Sequence, residues 1–173
     1  MKITGGIHSG RRIKCISAKN LRPTSSKVRE AIFSVIGQNL TERSFCDAYA
    51  GSGIMGFEAY SRGSSFVGFA DNNIRAMSLI TSTIGLFNDE DRFTTSRNAS
   101  GLINSQFWDL VFLDPPYSVS PQPILDTLIN QAKTWVIETA ANTQVLSPAG
   151  YFSSFERVYG RTKISIVEEE IPL

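Results

Sequence analysis

With 173 residues, 42% of them hydrophobic and 19% charged, the chain can bury a sizeable core in one domain, which excludes a disordered polymer. No apolar run nears the ~20 residues of a membrane span, and the opening MKITGGIHSG lacks the apolar stretch of a secretory signal, so a cytoplasmic protein off the membrane is expected. The net charge of +1 hides a division: eight of the 17 cations and no acid lie in residues 1–29, while the other nine cations face all 16 acids. Such a basic arm points to a polyanionic partner. Two widely spaced cysteines, Cys15 and Cys46, suit neither a disulfide framework nor a zinc cluster, so no metal is expected. A single histidine, His8, argues against a triad built on a histidine base.

In chain order, residues 2–4 and 12–16 flank the glycine-rich GGIHSG and predict a hairpin. In LRPTSSKVREAIFSVIGQNL, Pro23 and Thr24 to Ser26 carry turn and N-cap chemistry. Val28, Ala31, Ile32, Val35 and Ile36 then recur at helical spacing, predicting a helix over 25–38. Alternation follows: strand 45–49 (FCDAY), a helix through GIMGFEAYSRG to Gly63, strand 65–70 (SFVGFA), helix 73–86, a weak strand 93–96 and strand 108–114 (WDLVFLD). Helix 124–132 and strand 134–139 (TWVIET) come next, and GYFSSFERVYGRTKISIVEEE reads as an antiparallel pair. Strands alternating with helices predict a parallel, doubly wound sheet that binds ligands where the strand order reverses. One domain is expected, with residues 1–22 as a basic extension and 23–173 as its core.

The first strand ends in DAYAGSGIMG, which places Gly51, Gly53 and Gly56 at the spacing of a dinucleotide fingerprint. The glycines turn the chain tightly and leave backbone N–H groups open to a ligand. Asp71 stands where an acid would hold ribose hydroxyls, so a nicotinamide enzyme stays open at this point. Asp47 bends the reading away from it. A carboxylate four residues before Gly51 repels a pyrophosphate but suits a cation such as the α-ammonium of S-adenosylmethionine.

The stretch LVFLDPPYSV runs a buried strand straight into Asp114, Pro115, Pro116 and Tyr117. Methyl transfer to a ring-attached amine needs acceptors for its N–H groups, because the nitrogen lone pair is delocalised. Asp114 supplies one acceptor, and the carbonyl of Pro115 a second on a backbone stiffened by proline. Tyr117 offers a face on which a flipped base can stack, worth ~1–3 kcal/mol.

Together DAYAGSG, GFEAYSRG, FADNN and LVFLDPPY resemble class I S-adenosylmethionine-dependent methyltransferases of the Asp/Asn-Pro-Pro-aromatic amino type. GGIHSGRRI, LRPTSSKVREAIF and YGRTKISI narrow the resemblance to bacterial small-subunit rRNA guanine-N2 methyltransferases of the RsmD type. That resemblance implies an α/β Rossmann-like fold: a seven-stranded, mostly parallel sheet with helices on both faces, preceded by an N-terminal β-hairpin. It implies methylation of the guanine at position 966 of 16S rRNA, within the small ribosomal subunit, by a monomer that uses S-adenosyl-L-methionine and no metal. Asp114, Pro115, Pro116 and Tyr117 would hold the target amine. Asp47, Ala50, Gly51, Ser52, Gly53, Asp71, Asn72 and Asn98 would surround the cofactor. Arg11, Arg12, Arg22 and Arg29 would meet RNA phosphates, with Arg22 and Thr24 shaping the pocket floor.

The chain departs from the family pattern at four places. Asp71 replaces a glutamate, Asn73 an acid, Asn98 an aspartate at the adenine position, and Thr83 an asparagine. These departures keep alternatives in view. One is an amino methyltransferase acting on DNA adenine N6 or glutamine N5. Another is an RNA-binding assembly protein without catalysis.

Overall fold

Seven apolar runs rich in β-branched and aromatic residues form one sheet, and turn residues break each run before it outgrows a single pass. The computed structural model describes residues 1–14 and 24–170. Its strands are β1 (Ser44–Asp47), β2 (Phe66–Ala70), β3 (Phe93–Ser96), β4 (Trp108–Leu113), β5 (Ala132–Ala140), β6 (Tyr151–Tyr159) and β7 (Thr162–Glu169). They lie in the order β3-β2-β1-β4-β5-β7-β6. The first five run parallel, and β7 is antiparallel to both β5 and β6. The strand order reverses between β1 and β4, the crevice where such sheets hold ligands.

Helices α1 (Ser26–Ile36), α2 (Ile54–Ser61) and α3 (Ile74–Ile84) cover one face; α4 (Ala99–Ile103) and α5 (Gln122–Leu128) cover the other. The two cores follow the period-two pleat. Phe45, Leu110, Phe112 and Val136 point to the first face, while Cys46, Val111, Trp135 and Ile137 point to the second. On the second face, the indole N–H groups of Trp108 and Trp135 reach the carbonyls of Ile103 and Ile129 at 3.2 and 3.0 Å. Both tryptophans are thereby buried without an orphaned donor.

Three elements differ from expectation. Helix α5 begins at Gln122 because Pro123 suits a first helical turn, and it stops early because Ala132 already starts β5. The short α4 is additional. Among the described residues the expected N-terminal hairpin shows one antiparallel bridge, Lys2 with Arg12, flanked by backbone bonds such as Ile3 N–H to the Arg11 carbonyl at 2.9 Å. Its buried Ile3 and Ile13 are anchored in the first core.

A buried acid secures that segment. Every residue of α2 is buried, and Glu58 within it is fully so. Its carboxylate accepts from Thr4 N–H and Oγ1 at 2.8 Å each and from Gly5 N–H at 2.7 Å. Arg29 Nε donates at 3.1 Å, and Arg62 donates from Nε and Nη2 at 3.1 and 2.8 Å. Arg29 Nη2 also reaches the Lys2 carbonyl at 2.9 Å. One carboxylate thus ties together the N-terminal segment, α1 and α2. Replacing Glu58 by alanine strands two buried guanidinium groups, so Glu58→Ala should lose about 3–5 kcal/mol of stability. Urea unfolding followed by circular dichroism measures this as a lower midpoint.

Candidate active site

The carboxyl ends of the central strands place three acids side by side. Asp47 closes β1 and pairs in register with Phe112; Phe112 pairs with Val136, two residues before Glu138 on β5. Pleat alternation therefore puts Asp47, Phe112 and Glu138 on the face covered by α1 and α2. Asp114 follows Phe112 by two residues, just past the end of β4.

Burial first, and neighbouring charge second, raise two of these acids. Burial lifts the Asp47 carboxyl from its ordinary 3.8 to about 7, opposed by the hydrogen bond from Gly56 N–H at 3.0 Å and aided by the charge of Asp71. Asp114 is also held well above the carboxylate range, by burial first, then by Glu138 and Asp47. Glu138 is buried and accepts from the Thr24 hydroxyl at 2.8 Å. Among the described residues no group donates a hydrogen bond to the Asp114 carboxyl.

The loop from β1 to α2 is a tight turn. Gly53 N–H bonds the Ala50 carbonyl at 2.6 Å, Ala50 N–H the Ala70 carbonyl at 2.8 Å, and Gly51 and Gly53 have φ of 52° and 75°. Both angles lie in the left-handed region that favours glycine. Gly56 lets α2 sit on the sheet, since a methyl group there would come within 2.3 Å of the Phe69 ring. Not every loop N–H stays open to a ligand. Gly51 N–H donates to Asp71 Oδ2 at 2.8 Å, and Asp71 Oδ1 accepts from Asn73 N–H at 2.8 Å. Each carboxylate oxygen keeps a second lone pair, so the half-buried Asp71 can also accept from hydroxyls.

Past β4, Val119 N–H closes a turn on the Pro116 carbonyl at 2.7 Å. Pro115 is buried, whereas Tyr117 is 47% exposed, its hydroxyl 2.9 Å from Thr162 Oγ1 at the start of β7. Pro115, Tyr117 and Glu138 border a cavity of about 250 Å³. A buried acid, open space beside the α-carbon of Gly51 and an acid with spare acceptor capacity fit the cationic, hydroxyl-bearing donor that the resemblance implies. Ala50 and Ser52 lie within the turn, and the exposed Asn72 follows Asp71.

Several expected residues serve elsewhere. Arg29 does not face RNA phosphates: it is 2% exposed and committed to Glu58. Arg11 lies over the Phe87 ring at 4.1 Å and donates to the Leu86 carbonyl at 2.6 Å, while Arg12 is exposed. Thr24 is buried and donates to Glu138, which borders the cavity, and Arg22 lies outside the described residues. Asn98 caps α4, its Oδ1 accepting from Gly101 N–H at 3.0 Å. Asn73 caps α3 in the same way, accepting from Arg75 N–H at 2.9 Å, and Thr83 is buried with its hydroxyl on the Leu79 carbonyl. Glu138 was not anticipated. Its signal is an acid inside the apolar run WVIET, since a buried charge needs partners or a purpose.

The family model described as conserved hypothetical protein 95 matches residues 1–168. The chain belongs to that family. YlbH of Bacillus subtilis, a candidate rRNA methyltransferase by name, is 32% identical over 141 residues, 76% of this chain and 74% of that protein. Ribosomal RNA small subunit methyltransferase D of Escherichia coli K12 is 23% identical, covering 98% of this chain and 90% of its own length. Among solved structures, yhhF of Escherichia coli, described as a candidate methyltransferase, superposes with a TM-score of 0.85 at 23% identity over 98% of each chain. TrmK of M. capricolum, solved with S-adenosylhomocysteine, gives a TM-score of 0.67 at 12% identity, over 84% of this chain and 69% of its own. At these identities the two structures attest the fold: a Rossmann-like class I methyltransferase sheet.

Asp47 makes stability depend on pH. Between about 4 and 7 the folded protein holds a proton that the unfolded chain releases, so this group destabilises increasingly as pH rises through that window. Below the window its effect is absent, and above it the cost is complete. Asp47→Asn, which keeps an acceptor for Gly56 N–H, should therefore raise the melting temperature at pH 8 and leave it unchanged near pH 3.5. Thermal unfolding at the two pH values measures the difference.

Proposed function

We propose that this protein transfers a methyl group from S-adenosyl-L-methionine to the exocyclic N2 amine of a guanine in small-subunit (16S) rRNA, with position 966 as the expected target. The observation that carries the reading is the meeting of the Gly51–Gly53 turn and the Asp114–Tyr117 lip at the β1/β4 reversal, with the charge of Asp47 near enough to help raise the Asp114 carboxyl. The names of the relatives support the substrate class, and TrmK's ligand supports the cofactor. The cofactor supplies an electrophilic methyl group on a sulfonium sulfur.

The chain's own residues do the rest. Asp47 receives the cofactor's positive charge and Asp71 its ribose hydroxyls, with Ala50 and Ser52 in the glycine turn and Asn72 beside Asp71. Asp114 and the Pro115 carbonyl accept from the two N–H groups of the amine, which aims the nitrogen lone pair at the methyl group. Pro116 stiffens the lip, and Tyr117 stacks on the extruded base. Two acids beside one another, Asp114 and Glu138, suit guanine's Watson–Crick edge. That edge carries donors at both N1 and N2, whereas adenine offers an acceptor at N1. Asp47 is one of the charges holding Asp114 protonated, so offsetting it with a bound cation favours the carboxylate form that accepts.

The decisive measurement is labelled methyl transfer to small ribosomal subunits, followed by digestion and nucleoside mass spectrometry. N2-methylguanosine is expected. Methyladenosine or a methylated protein would point to another amino methyltransferase, and cofactor binding with no transfer to any rRNA in any assembly state overturns the assignment. Asp114→Ala should lower transfer by at least about 100-fold while cofactor binding persists, because misaimed reactants lose that much. In the parent, transfer should fall as pH is lowered, along a limb above the ordinary carboxylate range, as Asp114 becomes protonated.

A further inference from the structure

A second opening lies behind the lip. Tyr117 borders both the cavity beside Glu138 and a wider one of about 410 Å³ bounded by Ala140, Asn142, Gly160 and Arg161. That volume is in the ~300–1,000 Å³ range of ligand sites. Its far wall is the loop from β6 to β7, two residues long, with Gly160 at φ 64° supplying the first central position of a hairpin turn. This loop lies near the start of YGRTKISI, a family-like segment to which the methyl-transfer reading gives no role.

The loop is held against the active site at two points. Ala141 N–H donates to the Arg161 carbonyl at 2.9 Å, and Thr162 Oγ1 lies 2.9 Å from the Tyr117 hydroxyl. Arg161 itself is exposed, and among the described residues no carboxylate pairs with its guanidinium, in contrast to Arg29, Arg62 and Arg92. Small Ala140 and Ala141 leave room beside it, and the exposed Asn142 adds a group that both donates and accepts. An unpaired guanidinium across a cavity from the aromatic lip has the chemistry of a phosphate site.

We propose that the cavity between Tyr117 and Arg161 is a subsite for the phosphodiester and sugar of the nucleotide next to the target in the RNA strand. It rests on the methyl-transfer reading, because an extruded base on Tyr117 carries its neighbouring phosphate around the ring edge. Arg161 clamps that phosphate bidentately. Thr162 is a positioning residue that holds the Tyr117 ring as the partition between the two nucleotides.

The test uses the full chain and small ribosomal subunits from cells lacking the protein. Arg161→Ala should raise KM for the subunit by about fivefold with kcat and cofactor affinity unchanged, and should reduce the slope of log affinity against log salt by about one. Arg161→Lys should restore the salt slope, since it keeps the charge, but only part of the affinity. Arg43→Ala, which removes an exposed cation at the opposite end of β1, should change neither. Unchanged KM and salt slope in a folded Arg161→Ala protein overturn the subsite and leave the methyl-transfer reading standing. An equal effect from Arg43→Ala also overturns it, because the contribution is then general charge. If the parent transfers no methyl group but Arg161→Ala still loses one unit of salt slope, the reading fails and the phosphate contact stands by itself.

Discussion

The Glu58 carboxylate, sealed in the middle of α2, is the interaction on which the site's frame depends. A buried charge without partners costs several kcal/mol, and this one is satisfied by six hydrogen bonds from four residues on three parts of the chain. Two guanidinium groups neutralise it, and the backbone of Thr4 and Gly5 is drawn onto the same helix. Helix α2 is N-capped by Gly53, so whatever seats α2 also sets the turn that follows Asp47. The first 14 residues are therefore part of the scaffold as well as a basic surface. Lys2, Arg12 and Lys14 remain exposed, while Arg29 is committed inward.

The opposite economy holds at the strand ends. Asp47, Asp114 and Glu138 are gathered at the strand ends, and burial raises the first two above the carboxylate range, helped at Asp114 by the charges of Glu138 and Asp47 and at Asp47 by that of Asp71. A stability optimum would not cluster acids this way. Sites that bind cations and hydrogen-bond donors do, because the ligand supplies what the empty protein lacks. The reversal of strand order leaves a gap between the connections on either side, and the acids line it.

The short C-terminal hairpin extends the same surface. Since β7 lies between β5 and β6, the turn at Gly160 and Arg161 comes back beside Ala140, at the carboxyl end of β5. One face of the molecule thus carries the glycine turn, the proline lip and an exposed arginine in sequence. On the proposed reading, an RNA strand bound there meets the cofactor turn, the amine lip and a cation within a single reach.

Much of this was determined by the sequence itself. Strand ends, the glycine turn and the stiff lip follow from local chemistry, namely left-handed φ at glycine, fixed φ at proline and the period of apolar residues. Five parallel passes and an antiparallel close were readable for the same reason. The short α4 was not, because five residues give too little periodicity, and its cap Asn98 reads equally well as a ligand. Partnerships across the fold were decided by tertiary structure. Arg29 meets Glu58 across 29 residues, and Thr24 meets Glu138 across 114. A charged side chain in a sequence carries no record of whether water, RNA or a buried counter-ion will neutralise it. Only packing, which sets the distance and the dielectric around each charge, makes that choice.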